Sequence, residues 1–328
     1  MKAKKNSLYS FSRVQSVIGL IAIVVMAILL SPRAGNGSII FLQWGNITDV
    51  LRQQSEIGII ALAMTFVILT GGIDLSVGSV LALSASIAAM LLIKWHTPLG
   101  PQAHIVVAVC AALIASTAIG VLNGLGVARL RLQPFIVTLA TMIGVRGLAR
   151  WMTQNSNIDF GFGHDVSAIF ASSLSQKFLV ISVFLVLAVL FALLLQRTVF
   201  GRYVRSVGDN ELAARYSGVP IASVKIWVYS LAGLFAGLAG VIHAARAYQG
   251  NPNDGVAYEL DAIAAVVMGG TSLAGGKGSI FGTVVGTLIM GVLTNILRLK
   301  QIDANAELMI KALIIVAAVW AQQKRRTA

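Results

Sequence analysis

The chain has 328 residues, of which 57% are hydrophobic and only 11% charged. Soluble domains carry about 25% charged residues, so this composition excludes an ordinary water-facing surface and predicts an integral membrane protein. The net charge of +13 lies in short loops between apolar runs, with no aromatic-interleaved basic patch or zinc-finger spacing. That argues against nucleic acid as a partner and for the excess of Lys and Arg on cytoplasmic loops.

A helix crossing hydrocarbon needs about 20 mostly apolar residues. Such runs fall near 14–31, 57–70, 77–93, 104–127, 134–149, 178–196, 226–245, 256–269, 279–297 and 306–322. The expected class is an all-α polytopic membrane protein of about ten transmembrane helices. The runs 57–70 and 256–269 are short and read as ends of bent or re-entrant helices, leaving eight to eleven spans. Met1-Lys2-Ala3-Lys4-Lys5 and the apolar stretch from Val17 to Leu30 resemble the start of a signal peptide. The stretch ends at Ser31-Pro32-Arg33 without an Ala-x-Ala site, so an uncleaved first helix is expected. Ten spans put both termini on one side. The clusters Lys2, Lys4, Lys5 and Lys324, Arg325, Arg326, with the basic residues of loop 197–225, make that side the cytoplasm. The outer loop 151–177 holds Asn155, Asn157, Asp159, His164 and Asp165. The other connections are tight, so residues 1–328 are expected to form a single transmembrane domain. Cys110, the single cysteine, is expected as a small buried hydrophobe.

Two glycine-rich strings break the apolar pattern near the centre of each half. They are Gly71-Gly72-Ile73-Asp74-Leu75-Ser76 and Gly269-Gly270-Thr271-Ser272-Leu273-Ala274. Broken backbone at membrane depth costs several kcal/mol for each unpartnered group. Paired interruptions therefore point to a translocation site, and Thr70, Asp74, Ser76, Thr271 and Ser272 are the candidate path-lining residues. Asp74 has two compatible readings, a path residue or a turn-former that accepts backbone amides where the chain restarts toward Val80. Glu259 and Asp261 read as dipole partners in a first helical turn.

In loop 197–225, Asp209 or Asn210 can cap a short helix over Leu212 to Tyr216, which Gly218 and Pro220 stop. Small Ala213 and Ala214 are expected to face outward, making this a docking helix for a partner protein rather than an interfacial anchor. His96, His104, His164 and His243 have no metal spacing. Arg246, one turn from His243, is expected to snorkel. Gly233-x-x-x-Gly237 reads as close helix packing. Gly275-Gly276-Lys277-Gly278-Ser279 fails as a phosphate loop, because Gly278 separates the Lys from the Ser.

The string Thr70-Gly71-Gly72-Ile73-Asp74-Leu75-Ser76-Val77-Gly78-Ser79 resembles the signature of ribose-type ABC importer permeases. So do Gln133-Pro134-Phe135-Ile136-Val137-Thr138-Leu139-Ala140 with Arg146-Gly147, and the run from Phe200 to Val219. Tyr258 to Val267 with Gly269 to Gly278 gives the last block, and together they span roughly 60–323. The resemblance implies an ABC importer permease fold in a bacterial inner membrane, working as two copies or with a homologous permease. It implies a periplasmic sugar-binding protein and a separate cytoplasmic ABC ATPase, with ATP and Mg on that ATPase and no cofactor on this chain. By the same resemblance Glu211, Ala213, Ala214 and Gly218 belong to the helix that couples to the ATPase. The main alternative is an ion- or proton-coupled secondary transporter with Asp74 as coupling carboxylate. A membrane enzyme on lipid-linked substrates lacks the clustered polar residues it needs.

Overall fold

The computed structural model describes residues 2–94, 100–162 and 165–327; His96 and His164 lie outside the described residues. The long elements are helices: α1 (Lys2–Leu30), α2 (Trp44–Leu69), α3 (Val77–Lys94), α4 (Pro101–Ala128), α5 (Pro134–Met152), α6 (Val166–Leu174) and α7 (Lys177–Arg197). They continue with α8 (Val199–Asp209), α9 (Glu211–Tyr216), α10 (Ile221–Ala247), α11 (Tyr258–Met268), α12 (Ile280–Leu299) and α13 (Ala304–Thr327). Two-residue strands, β1 (Ile158–Asp159) and β2 (Gln249–Gly250), pair antiparallel and tie the 151–177 loop to the end of α10. Among the described residues α4, α5, α7, α10 and α12 are long and apolar enough to cross a membrane. Ser16–Leu30 and Val77–Ile93 are shorter apolar helices.

The core is built around α2. Every residue from Gln54 to Leu69 is buried, and the helix packs against α7, α10, α11 and α12. The expected run 57–70 therefore marks only the last half of a helix that begins at Trp44. The first half was hidden by Asp49, Arg52, Gln53, Gln54, Ser55 and Glu56, which break the apolar pattern, although Asp49, Gln53 and Glu56 find partners on other helices. Asp49 pairs with Lys177 at 2.8 Å, and Arg298 donates to the Gln53 side chain at 3.2 Å.

Helices α4 and α10 make the most extensive helix pairing. A Cβ added at Gly233 would lie 2.3 Å from the Ser116 carbonyl oxygen, so the small residues of α10 are what allow the backbones to meet. The packing role expected of Gly233-x-x-x-Gly237 is realised there. By contrast α4 turns Val106, Ile114 and Leu122 outward, and α7 turns Leu185, Val189 and Leu193 outward. Such faces suit acyl chains, where apolar exposure has no cost. Cys110 lies exposed on α4, correcting the expectation of a buried thiol: the apolar pattern around it is a lipid-facing surface rather than a core.

Candidate functional site

At the first break α2 ends and Gly71 takes a left-handed φ of 77°, a conformation glycine adopts without steric cost. The Asp74 carboxylate then accepts from the Ser76 amide at 2.9 Å and the Ser76 hydroxyl at 2.6 Å. This closes a side-chain turn from which α3 starts, the Val80 amide bonding to the Ser76 carbonyl at 2.9 Å. The turn-forming reading of Asp74 is thus realised. The polar chain continues: Asn123 donates to Ser76 Oγ at 2.9 Å, and Thr141 donates to Asn123 Oδ1 at 2.6 Å. Helices α4 and α5 therefore supply partners that satisfy the broken segment. Asn123 and Thr141 sit in apolar runs, and only their polarity could have marked them.

The second break follows α11, a half-helix of 11 residues. The Ser272 amide donates to the Lys277 carbonyl at 2.8 Å, and the Gly275 amide donates to the Ser272 carbonyl at 3.0 Å. Ser279 then caps α12, its hydroxyl accepting from the Gly282 amide at 3.0 Å. The two breaks touch each other, since the Gly276 amide donates to the carbonyl of Leu69 at 2.9 Å. All five candidate path residues, Thr70, Asp74, Ser76, Thr271 and Ser272, are buried within this subunit around that junction.

The loop 197–225 contains two helices where one was expected. Thr198 caps α8 by accepting from the Gly201 amide at 3.1 Å, and α8 buries Gly201, Val204 and Val207. Asn210 caps α9, accepting from the Ala213 amide at 3.0 Å. Glu211 pairs with Lys225 at 2.8 Å and with Arg215 at 3.6 Å. Ala213 is exposed, but Ala214 is only 1% exposed and belongs to the main core. The expectation that both alanines face outward is corrected because consecutive helical residues lie about 100° apart, so one must face the protein. The outward side is instead carried by Leu212 and Tyr216, at 65% and 89% exposure. Gly218, exposed at φ 77°, ends the helix. A cavity of about 590 Å³ opens beside α9, bordered by Arg131, Gln133, Glu211, Arg215 and Lys225.

Two ionic networks brace the helices that carry the breaks. Glu56, on α2 and 1% exposed, accepts from Arg246 Nε at 2.5 Å and lies 2.9 Å from His243 Nδ1. His243 Nε2 lies 3.1 Å from Asp254 Oδ2. Arg246 therefore does not snorkel but turns inward to a carboxylate on another helix. Lys311 bridges Asp261 at 3.2 Å and Glu307 at 3.0 Å, and Arg298 reaches Glu307 at 3.3 Å. Asp261 is thus an ion-pair partner for α13 as well as a first-turn acid. Helical spacing links only His243 with Arg246 and Glu307 with Lys311; Glu56, Asp261 and Arg298 join them from helices separate in the chain.

Residues 46–319 match the family model described as branched-chain amino acid transport system / permease component. The chain is 40% identical over 315 residues to the ribose import permease protein RbsC of Escherichia coli (strain K12), covering 95% of this chain and 94% of the relative. It is 41% identical over 310 residues to the protein of that name from Bacillus subtilis (strain 168), covering 94% and 92%. The L-arabinose ABC transporter permease protein AraH of Azospirillum brasilense is 37% identical over 295 residues, covering 87% and 82%. No solved structure gives a significant match. With its apolar helices, its paired glycine breaks and these full-length likenesses, the chain belongs to the branched-chain amino acid transport system permease component family and is a multi-pass membrane protein.

Proposed function

We propose that this chain is the permease subunit of an ABC importer that carries a monosaccharide, ribose or a similar pentose or hexose, across the bacterial inner membrane. The observation that carries this reading is the likeness over nearly the whole chain to proteins named as ribose and arabinose permeases. Residues 1–328 act as one permease domain with both termini in the cytoplasm. A periplasmic sugar-binding protein delivers the solute, and a cytoplasmic ABC ATPase holds ATP and Mg. The chain itself binds no cofactor and is not an enzyme.

The geometry supports a mechanical role for α9. A helix capped at both ends, anchored through Ala214 and presenting Leu212 and Tyr216 outward, suits the groove of a partner. Glu211 stands at its start beside Lys225, and Gly218 ends it. Closure of the ATPases would move α9 and rock the spans, opening a path past Thr70, Asp74, Ser76, Thr271 and Ser272. A second permease copy, or a homologous one, fits α5. That helix is the least apolar and the least buried of the five clear spans, with Gly144 and Gly147 exposed and open to close approach. The same helix also exposes Phe135, Ile136, Ile143, Leu148 and Trp151, large groups that a second copy would bury.

The test is co-purification of an ATPase with the tagged permease in mild detergent, with and without Glu211→Arg. Stoichiometric ATPase on the wild type, lost in the variant, is the expected result. A well-folded wild type without ATPase would shift the weight to a gradient-coupled transporter, for which Asp74→Asn is the next variant.

A further inference from the structure

The end of α8 sits directly on the contact between the two glycine breaks. A Cβ at Gly208 would lie 1.7 Å from the Leu69 carbonyl oxygen and 2.5 Å from the Gly276 amide nitrogen. Those two atoms are the partners of the hydrogen bond that joins the breaks. One at Gly275 would lie 2.9 Å from the Gly208 carbonyl oxygen and 3.1 Å from the Gly71 amide nitrogen, and one at Gly276 would lie 2.1 Å from Asp209 Oδ1. Backbones from three separate stretches of the chain therefore meet with no side chain between them. Gly71 belongs to the first break, Gly275 and Gly276 to the second, and Gly208 to α8. On the far side of Gly208 the connection is equally short, because Asn210 ends α8 and caps α9.

We infer that Gly208 is a positioning residue for transport: it forms a rigid backbone joint that delivers movement of α9 to both glycine breaks at once. The inference rests on the importer reading and deepens it. Packed backbone has few alternative arrangements, so displacement of α9 is not absorbed by side-chain rotamers on its way to the breaks. Helix α10, by comparison, meets the first break through a side chain, the Tyr229 hydroxyl standing 2.4 Å from where a Cβ at Gly72 would lie. In the second break Gly275 and Gly276 both turn the chain, at φ 85° and 72°, and lie against Gly208 and Asp209 of α8. A methyl group at 208 would force the Leu69 carbonyl and the Gly276 amide away from α8, loosening the transmission without touching Leu212 or Tyr216.

The experiment uses proteoliposomes holding the permease with its ATPase and binding protein, fed ATP and labelled D-ribose, with L-arabinose, D-xylose and D-allose run in parallel. Gly208→Ala is expected to retain ATPase binding while import falls at least tenfold and the number of ATP molecules hydrolysed per sugar rises. A merely structural defect would lower both activities together and leave that ratio unchanged. Import by Gly208→Ala at wild-type efficiency overturns the joint, whereas a wild type that binds no ATPase overturns the importer reading instead. A second measurement, on the unaltered protein, covers a Gly208→Ala chain that fails to fold. Hydrogen exchange at the Gly276 amide, which donates to the Leu69 carbonyl, should be equally slow in the ATP-free and ATP-bound complex if the joint moves as a unit. Loss of that protection on ATP binding also overturns the proposal.

Discussion

Tyr229 places its hydroxyl in the core, 1% exposed, with no hydrogen-bond partner among the described residues. Gly72 makes room for it: a Cβ there would lie 2.4 Å from the phenolic oxygen. An unsatisfied buried hydroxyl costs about 1–3 kcal/mol, so Tyr229→Phe is expected to raise the thermal unfolding midpoint of the purified protein. A lower midpoint would show that the oxygen is bonded in solution. Asp165 makes the opposite case. Its side chain accepts from the Ser167 hydroxyl at 2.7 Å and the Ala168 amide at 3.2 Å, and the Ser167 bond first of all holds its pKa below the ordinary carboxylate range. A depressed carboxylate stabilises the fold fully above its unfolded value of about 3.9, and that contribution disappears as pH falls through the folded value. Hydrogen exchange of the Ala168 amide, corrected for intrinsic rate, should therefore show flat protection from pH 8 to 5 and a decline only under strong acid. Asp74 and Ser76 were legible in the sequence because the turn they make is local. Tyr229 and Asn123 were not, since what distinguishes them is the element packed against them.

Helix α2 differs from the helices around it. Nearly all its neighbours were legible as uninterrupted apolar runs, and both breaks were legible as glycine clusters. The polar half of α2 resembled a loop, because a single chain cannot show that Glu56 will meet His243 and Arg246. Removing one partner of a buried ion pair costs about 3–5 kcal/mol, whereas an exposed pair contributes about 0–1 kcal/mol. Glu56→Ala should therefore lower the unfolding midpoint sharply. Asp49→Ala, whose pairs with Lys177 and Arg52 are partly exposed, should change it little. Equal effects from the two would remove the distinction between bracing network and surface pair. Loop 197–225 was half legible: the caps of α9 are short-range signals. Which face of a six-residue helix points inward depends on the core that receives Ala214.

For the whole molecule, the uneven exposure of its faces sets how it assembles. The exposed face of α7 is strongly apolar, while α5 interleaves Gly144, Gly147 and Arg150 with exposed Ile143, Leu148 and Trp151. Gly144→Trp should leave the monomer folded, since its Cβ meets nothing within 4 Å, yet reduce recovery of two-copy complexes in cross-linking from membranes. Undiminished cross-linking would place the contact on another helix.

The Glu56–Arg246 bond joins residues 190 positions apart, and this orders events during synthesis. When α2 leaves the ribosome, the cation that neutralises its buried carboxylate has not yet been made. A charged side chain at the centre of a helix opposes insertion by about 2.5–3.5 kcal/mol. A nascent chain that stops short of α10 is therefore expected to insert α2 less completely than the full chain, and Glu56→Gln should narrow the gap. Equal insertion of α2 in both lengths, read by protease protection, would show that its apolar half suffices.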